Sequence, residues 1–502
     1  MGIITLLAPF KQKSRILSLS ILLFITLLAC QQRIQSGKTN ASVHDIHIKN
    51  IETSLYPLYN LRGQEKPKSI AQLMQENKIT GMSMAFVENG EVVWTKSYGY
   101  TNLGDSQPIT PQTIFRAASL SKPITAMMAL QLVESGKLEL DQDINTYLTG
   151  WKLPENGFTG KQPVTVRNLI GHTSGIRNGN HEATPADLEL PALEDILSGN
   201  VLNTPAEVIT VPGETRKYSN LGYMVLGELL CDVTSKDLNT LANDLIFTPC
   251  SMNSSTFNQN LSDRFRERLA VGHDENQKPV PYYKHSSYGA GALYSTPTDL
   301  GKFLATILDA YHTQNKEHKV ISHKMARQVF AEDSKRLGFN KTIRNGNFVF
   351  KNDGSIPGYN CTLMGSVTKN QAVVIMLNTG SEPAYEFLTW LTRAIALEYD
   401  WGIYEPEFYD TYEIPVKDLA KFVGLYSNTE DSILFELSED HLRVSGEALV
   451  QLHEMAFLRP SLPMMYHFEP DSVGSVSRLY SRDERGDWSP VYMKVGDSLM
   501  IR

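Results

Sequence analysis

The sequence predicts a mixed α/β (α+β) chain with a separate small β domain at its C-terminal end. Three observations predict it. Met82–Val87 and Val92–Ser97 are strand-like runs joined by the turn Glu88-Asn89-Gly90. Pro123–Val133 is a long, mostly apolar run with proline in its first turn and Gly136-Lys137 as its stop, the pattern of a helix buried on most sides. Beyond Trp401–Pro415, where aromatics, acids and prolines shift the composition, Ile433–Leu437 and His441–Val444 flank the turn Glu439-Asp440.

The elements follow in chain order. Lys11, Lys13 and Arg15 precede the apolar stretch Ile16–Ala29, which is short for a membrane span. It ends in Leu27-Leu28-Ala29-Cys30, which has the form of a bacterial lipoprotein cleavage box. Residues 1–29 are expected to be a lipoprotein signal peptide, with Cys30 carrying the lipid. An ordinary secretory signal or an uncleaved anchor fits the same features, and each reading sends the chain to or across a membrane. The expected location is the bacterial cell envelope, lipid-anchored and facing the periplasm or the cell surface. Residues 30–65 are polar and suit a tether.

From Ser69 a short helix leads into the first strand pair. Residues 137–215 are rich in Pro, Gly and Asn, with short helical pieces such as Val166–Ile170. Leu221–Val233 is a second apolar helix. Strands are expected at Phe348–Lys351, Cys361–Gly365 and Ala372–Asn378, and a helix at Glu386–Glu398. The resulting division is a main domain over 66–400, a linker over 401–415 and the small β domain over 416–502. Without its leader the chain keeps 473 residues, enough for two or three domains at ~150 residues each.

Removing residues 1–29 takes away three cations and no acid, so the formal charge moves from −8 to −11. An acidic surface of this kind argues against nucleic acid as a partner. Besides Cys30 the chain holds Cys231, Cys250 and Cys361, which cannot all pair internally. A Cys231–Cys250 disulfide and three buried thiols both fit. No Cys/His cluster has zinc spacing, His44-Asp45-Ile46-His47 suits linker, and no metal or cofactor is expected.

The chemistry centres on Ser119-Leu120-Ser121-Lys122. A serine three residues before a lysine shares one face of a first helical turn with it. A lysine entering a partly desolvated place has a lowered pKa and serves as a base for the serine hydroxyl. The same residues also fit a serine cap on a core helix. The pattern arises by chance about once or twice in a chain of ordinary composition, and it recurs here as Ser366-Val367-Thr368-Lys369. That copy lies between strand-like runs, with Lys369-Asn370 as a hairpin turn, and is rejected. Tyr218-Ser219-Asn220 supplies a proton-relaying phenol and an amide that can hold a substrate amide. Similar triplets occur at Tyr100 and Tyr426, but only Tyr218 follows Pro212-Gly213-Glu214 and leads straight into a helix.

Taken in order, Thr113–Lys122, Val164–Gly175, Pro212–Tyr223 and Gly289–Asp299 make the chain resemble the serine β-lactamase-related family of penicillin-binding folds, over about residues 70–400. The nearest members are class C β-lactamases, D,D-carboxypeptidases and related esterases. The resemblance implies an antiparallel sheet flanked by helices, a helical lobe, and an active site between them. It implies Ser119 as the acylated nucleophile, proton work shared by Lys122 and Tyr218, and Asn220 against the substrate amide or ester. It implies a structural role for His172. The family's Lys-Thr-Gly or His-x-Gly strand aligns with Asn352-Asp353-Gly354-Ser355. Ser355 then gives the second oxyanion N–H beside that of Ser119, and Gly354 leaves room for substrate along the strand.

Asn352 departs from the pattern, because an amide carries no charge. A Lys or His there holds a substrate carboxylate or tunes the proton relay; Lys351 is the neighbouring alternative cation. Losing one charge-assisted contact of ~1.5–3 kcal/mol weakens carboxylate recognition by roughly one to two decades. The expected function is therefore a serine hydrolase acting through an acyl-enzyme on an ester or amide, as an esterase or D-amino-acid peptide hydrolase. Its partners would be a small-molecule or peptide substrate and, through the lipid, a membrane. The alternatives are a β-lactamase and a non-catalytic binding or scaffold protein.

Overall fold

The computed structural model describes Gly2 and residues 43–496, except 64–65, 180–182, 202–203, 332–336, 345, 404, 429–430, 461–463 and 483–487. The signal-peptide and Cys30 expectations lie outside the described residues. Among those described, no helix is long and apolar enough to cross a membrane.

Strand alternation builds the main body. Met82, Met84 and Phe86 of the strand Gly81–Glu88 join one core, while Val87 joins another. In the strand Gln371–Leu377, Val373, Ile375 and Leu377 enter the first core, and Ala372, Val374 and Met376 the second. The two strands pair antiparallel with Ala85 opposite Val374. Period-two side chains thus serve both faces of one sheet, and both faces are covered.

That sheet has seven strands, in the order Gln107–Pro108, Glu91–Asn102, Gly81–Glu88, Gln371–Leu377, Tyr359–Ser366, Asn347–Ile356 and Asn340–Arg344. Every neighbouring pair is antiparallel. One face packs on Glu382–Glu398, Ile70–Glu76 and the helical residues 43–53. The other packs on Pro297–His312 and on a lobe containing Ser121–Glu134 and Asn220–Thr234. The expected strands and apolar helices are therefore present. The helix expected from Glu386 starts at Glu382, where the Ser381 side chain accepts from the Ala384 N–H and Pro383 occupies the first turn.

The described residues between 424 and 496 form a nine-stranded antiparallel sheet around a core of Phe422, Tyr426, Phe435, Phe457 and Phe468. Its aromatic rings meet mostly edge to face, as for Phe435 and Phe468, whose centroids are 5.0 Å apart at 71°. Glu439 and Asp440, both at positive φ, make the expected hairpin turn between Ser432–Ser438 and His441–Val444.

Two expectations need correcting. The tether assigned to 30–65 does not hold over 43–61: residues 43–53 are helical, and Ile48, Ile51 and Leu55 lie in the sheet's core. His44 and His47 belong to that helix, with His47 Nδ1 2.7 Å from Glu398 Oε1. The linker assigned to 401–415 is also integrated. Trp401 is fully buried and its indole N–H donates to Gln371 Oε1 at 2.8 Å. Glu407–Tyr409 pairs in parallel with Tyr59–Leu61. Burial of a few well-spaced apolar residues outweighed the polar composition in both segments.

Candidate active site

Ser119 stands on a tight 3₁₀ turn, Ala118–Leu120, that runs directly into the Ser121–Glu134 helix. Ala118 adopts φ +46°, a conformation that costs energy and persists only where its surroundings hold it. Here Ser121 does so: its buried hydroxyl donates to Ala118 O at 2.6 Å and accepts from the Leu293 N–H at 3.1 Å. The Ala117 N–H donates to Leu293 O at 2.8 Å. The segment Gly289–Asp299 therefore pins the turn from behind.

Lys122 is 2% exposed. Its Nζ donates to Ser119 Oγ at 2.9 Å and to Ala290 O at 2.7 Å. Among the described residues no carboxylate forms an ion pair with it, and burial pushes its pKa well below the usual lysine value. Tyr218 OH lies 2.7 Å from Ser119 Oγ. Desolvation raises the phenol's pKa, while the Ser119 hydrogen bond and the Arg216 charge pull it down. Lys122 Nζ sits 4.8 Å from the Tyr218 ring centroid.

The Val164–Gly175 segment explains the position of Tyr218. Thr165 and Asn168 form a reciprocal cap on Val166–Ile170, and the chain then turns at His172 with φ +59°. His172 O accepts the Lys217 N–H at 2.9 Å, and its Nδ1 accepts the Ser219 N–H at 3.3 Å. Its ring lies 4.6 Å from that of Tyr218. His172 thus braces the tyrosine loop. The Ser219 side chain caps the following helix by accepting the Gly222 N–H at 2.8 Å.

The facing wall is the strand Asn347–Ile356. Its first half pairs with Asn340–Arg344, but 352–356 pair, among the described residues, with Tyr359–Ser366 alone, and 353–356 line the cleft. Asn352 Oδ1 accepts the Asn340 N–H at 3.3 Å. Gly354 has a reason different from the expected one. A Cβ there would stand 2.6 Å from Cys361 Sγ and 2.9 Å from Ala117 O, so the glycine admits the protein's own nucleophile turn. Lys351 does not stand in for a cation at 352: it pairs with Asp353 at 3.3 Å, on the strand face opposite to Asn352. Asp353 also accepts from Tyr385 OH at 2.9 Å.

Ser119, Tyr218, Asn220, Gly354 and Ser355 line one cleft of about 720 Å³. Ser119, Lys122, Tyr218 and Asn352 line a smaller recess of about 40 Å³ beside it. The seven residues expected in catalysis and substrate binding line one or other of these two adjoining spaces. Sequence reading missed Asn178, whose Oδ1 accepts the Asn220 N–H at 2.9 Å, and Tyr385. It also missed Arg216, which lines the recess and donates to Asn340 Oδ1 at 2.8 Å. A signal for Arg216 existed: it lies two residues before Tyr218 in a non-helical segment. Among the described residues no group of three His, Cys, Asp or Glu could hold a metal, and Cys231, Cys250 and Cys361 are free thiols.

The family description "Beta-lactamase" matches residues 68–398. A teichoic acid D-alanine hydrolase of Staphylococcus aureus (strain MRSA252) is 27% identical over 58% of this chain and 69% of its own length. A Bacillus subtilis (strain 168) protein carried under the name penicillin-binding protein PbpX is 26% identical over 62% of this chain and 73% of its own. Among solved structures, the octameric penicillin-binding protein homologue from Pyrococcus abyssi superposes with a TM-score of 0.56. It covers 85% of this chain and 98% of that one at 23% identity. With two thirds of its length matched, the chain belongs to the beta-lactamase family of hydrolases.

Proposed function

We propose that the chain is a serine hydrolase that forms an acyl-enzyme on Ser119 from an ester or amide, most simply one bearing an aminoacyl group. The carrying observation is the convergence of Lys122 Nζ at 2.9 Å and Tyr218 OH at 2.7 Å on Ser119 Oγ, at the base of an open cleft. Because burial favours the neutral amine, Lys122 has a lone pair for the Ser119 proton. Oγ bonds to the acyl carbon, and the oxyanion falls to the N–H groups of Ser119 and Ser355. The bond to the leaving oxygen or nitrogen then breaks as the proton passes through Tyr218 to the leaving group. Water repeats the sequence on the acyl-enzyme and restores Ser119. Substrate lies along the open edge of residues 352–356, with the Asn220 amide against its acyl side.

The wall disfavours a carboxylate. Asn352 is neutral, and the neighbouring Lys351 is paired with Asp353 at 3.3 Å. This supports an esterase or amidase over a β-lactamase, because penicillins carry a carboxylate. The names of the relatives support a place in the cell envelope, and Cys30 lipidation remains part of the proposal.

A fluorophosphonate should label the native chain and leave Ser119→Ala unlabelled. No label on the native protein, or equal label on the variant, would return the chain to the scaffold reading. Short aminoacyl esters should turn over faster than nitrocefin; rapid nitrocefin hydrolysis would overturn the carboxylate argument.

A further inference from the structure

The family strand motif places a cation where this chain has Asn352, and that cation can do two jobs: hold a carboxylate and bias the proton relay. The structure separates them. The recess that holds Ser119, Lys122 and Tyr218 is lined also by Asn352 and Arg216. Arg216 is tied to the strand side through Asn340. Its guanidinium donates to Asn340 Oδ1 at 2.8 Å, and the Asn340 N–H in turn donates to Asn352 Oδ1 at 3.3 Å. A positive charge is therefore present at the position's periphery, delivered by the tyrosine loop instead of the strand.

We infer that Arg216 is a positioning residue that replaces the missing strand cation in activating Tyr218, while leaving the carboxylate-holding job undone. This rests on the acyl-enzyme reading above. The charge acts on a phenol surrounded by Lys122 from the central helix, the His172 ring, Tyr223 from the following helix, and Asp353 from the strand. Lys122 is buried and favours its neutral form, and Asp353 is already engaged by Lys351 and Tyr385. Among the described residues lining the recess, Arg216 carries a positive charge at every working pH. Burial raises the pKa of the Tyr218 phenol and lowers that of Lys122; a positive charge at Arg216 pulls the phenol back down and, by the same sign, opposes ammonium at Lys122.

The sign follows. Loss of the charge raises both pKa values, and the acid-side rise of the acylation rate moves to higher pH. The test measures fluorophosphonate labelling rate against pH on the full chain, a readout that needs no knowledge of the substrate. Arg216→Gln should move the midpoint up by about one unit and slow labelling roughly tenfold at pH values below it. Arg216→Lys should keep the native midpoint. Asn352→Lys placed on Arg216→Gln should bring the midpoint back at least half way.

An unmoved midpoint in Arg216→Gln overturns the assignment, as does an equal shift in Arg216→Lys or no return in the double variant. Unchanged thermal melting in each variant keeps these readings clear of misfolding. A native chain that takes no label, or a Ser119→Ala chain that does, fails the acyl-enzyme reading instead.

Discussion

Lys122 and Tyr218 both reach Ser119 Oγ, and the chemistry of Lys122 depends on its burial. Lys122→Met keeps the length and apolar stem of the side chain and removes the amine. Labelling of Ser119 should fall by about 10²–10⁴-fold, the usual worth of a positioned general base, as followed with a fluorescent fluorophosphonate. In the native chain the rate should rise with pH and level off. Burial lowers the lysine's pKa, so the base is present above that lowered value and lost as acid protonates it. At this scale much was legible. Ser119 and Lys122 are linked by helical spacing, and Tyr218 and Asn220 by two positions in one loop. Arg216 and the Asp353–Tyr385 contact were not legible in the same way, because their meaning depends on which strand the loop comes to face.

The strand Asn347–Ile356 packs on the nucleophile turn, and at Gly354 the approach is tight. Gly354→Ala would drive a methyl into Cys361 Sγ and Ala117 O, both closer than carbon tolerates. Neither neighbour is the free end of a flexible chain. The variant should lose about 1–3 kcal/mol in chemical denaturation, and labelling should slow because Ala117 adjoins the strained Ala118. The sequence marked this glycine through a motif, but not its reason, since a one-dimensional pattern does not show which backbone presses on it. The helix at 382 teaches a related lesson. Its apolar run begins near Phe387, yet its start is set by Ser381 and Pro383, local cap chemistry that hydrophobic spacing alone overlooks.

Across the molecule, the segments read as tether and linker are structural. Their polar composition concealed a helical spacing, Ile48, Ile51 and Leu55, and a single large indole at Trp401. Trp401→Ala should cost about 3–5 kcal/mol and lower the melting temperature of the whole chain, since the ring packs in the sheet's own core. Leu58 and Tyr59 also pack against Leu452, Leu458 and Met465 of the β domain, and Arg482 pairs with Glu407 at 2.8 Å. A chain cut after 400 should therefore show reduced stability in the hydrolase body as well as loss of the β domain. The His47–Glu398 contact joins residues 351 positions apart, and this has a consequence for the order of events at the ribosome. At about 5–20 residues per second, roughly 18–70 s separate the appearance of the helix at 43–53 from that of its partner helix. During that interval Ile48, Ile51 and Leu55 have only the early part of their core, such as Ile70, Leu73, Met82 and Phe86, and lack Phe387, Leu391 and Ile395. The core around the helix at 43–53 is therefore completed only when its far partner arrives, a contact of high sequence separation.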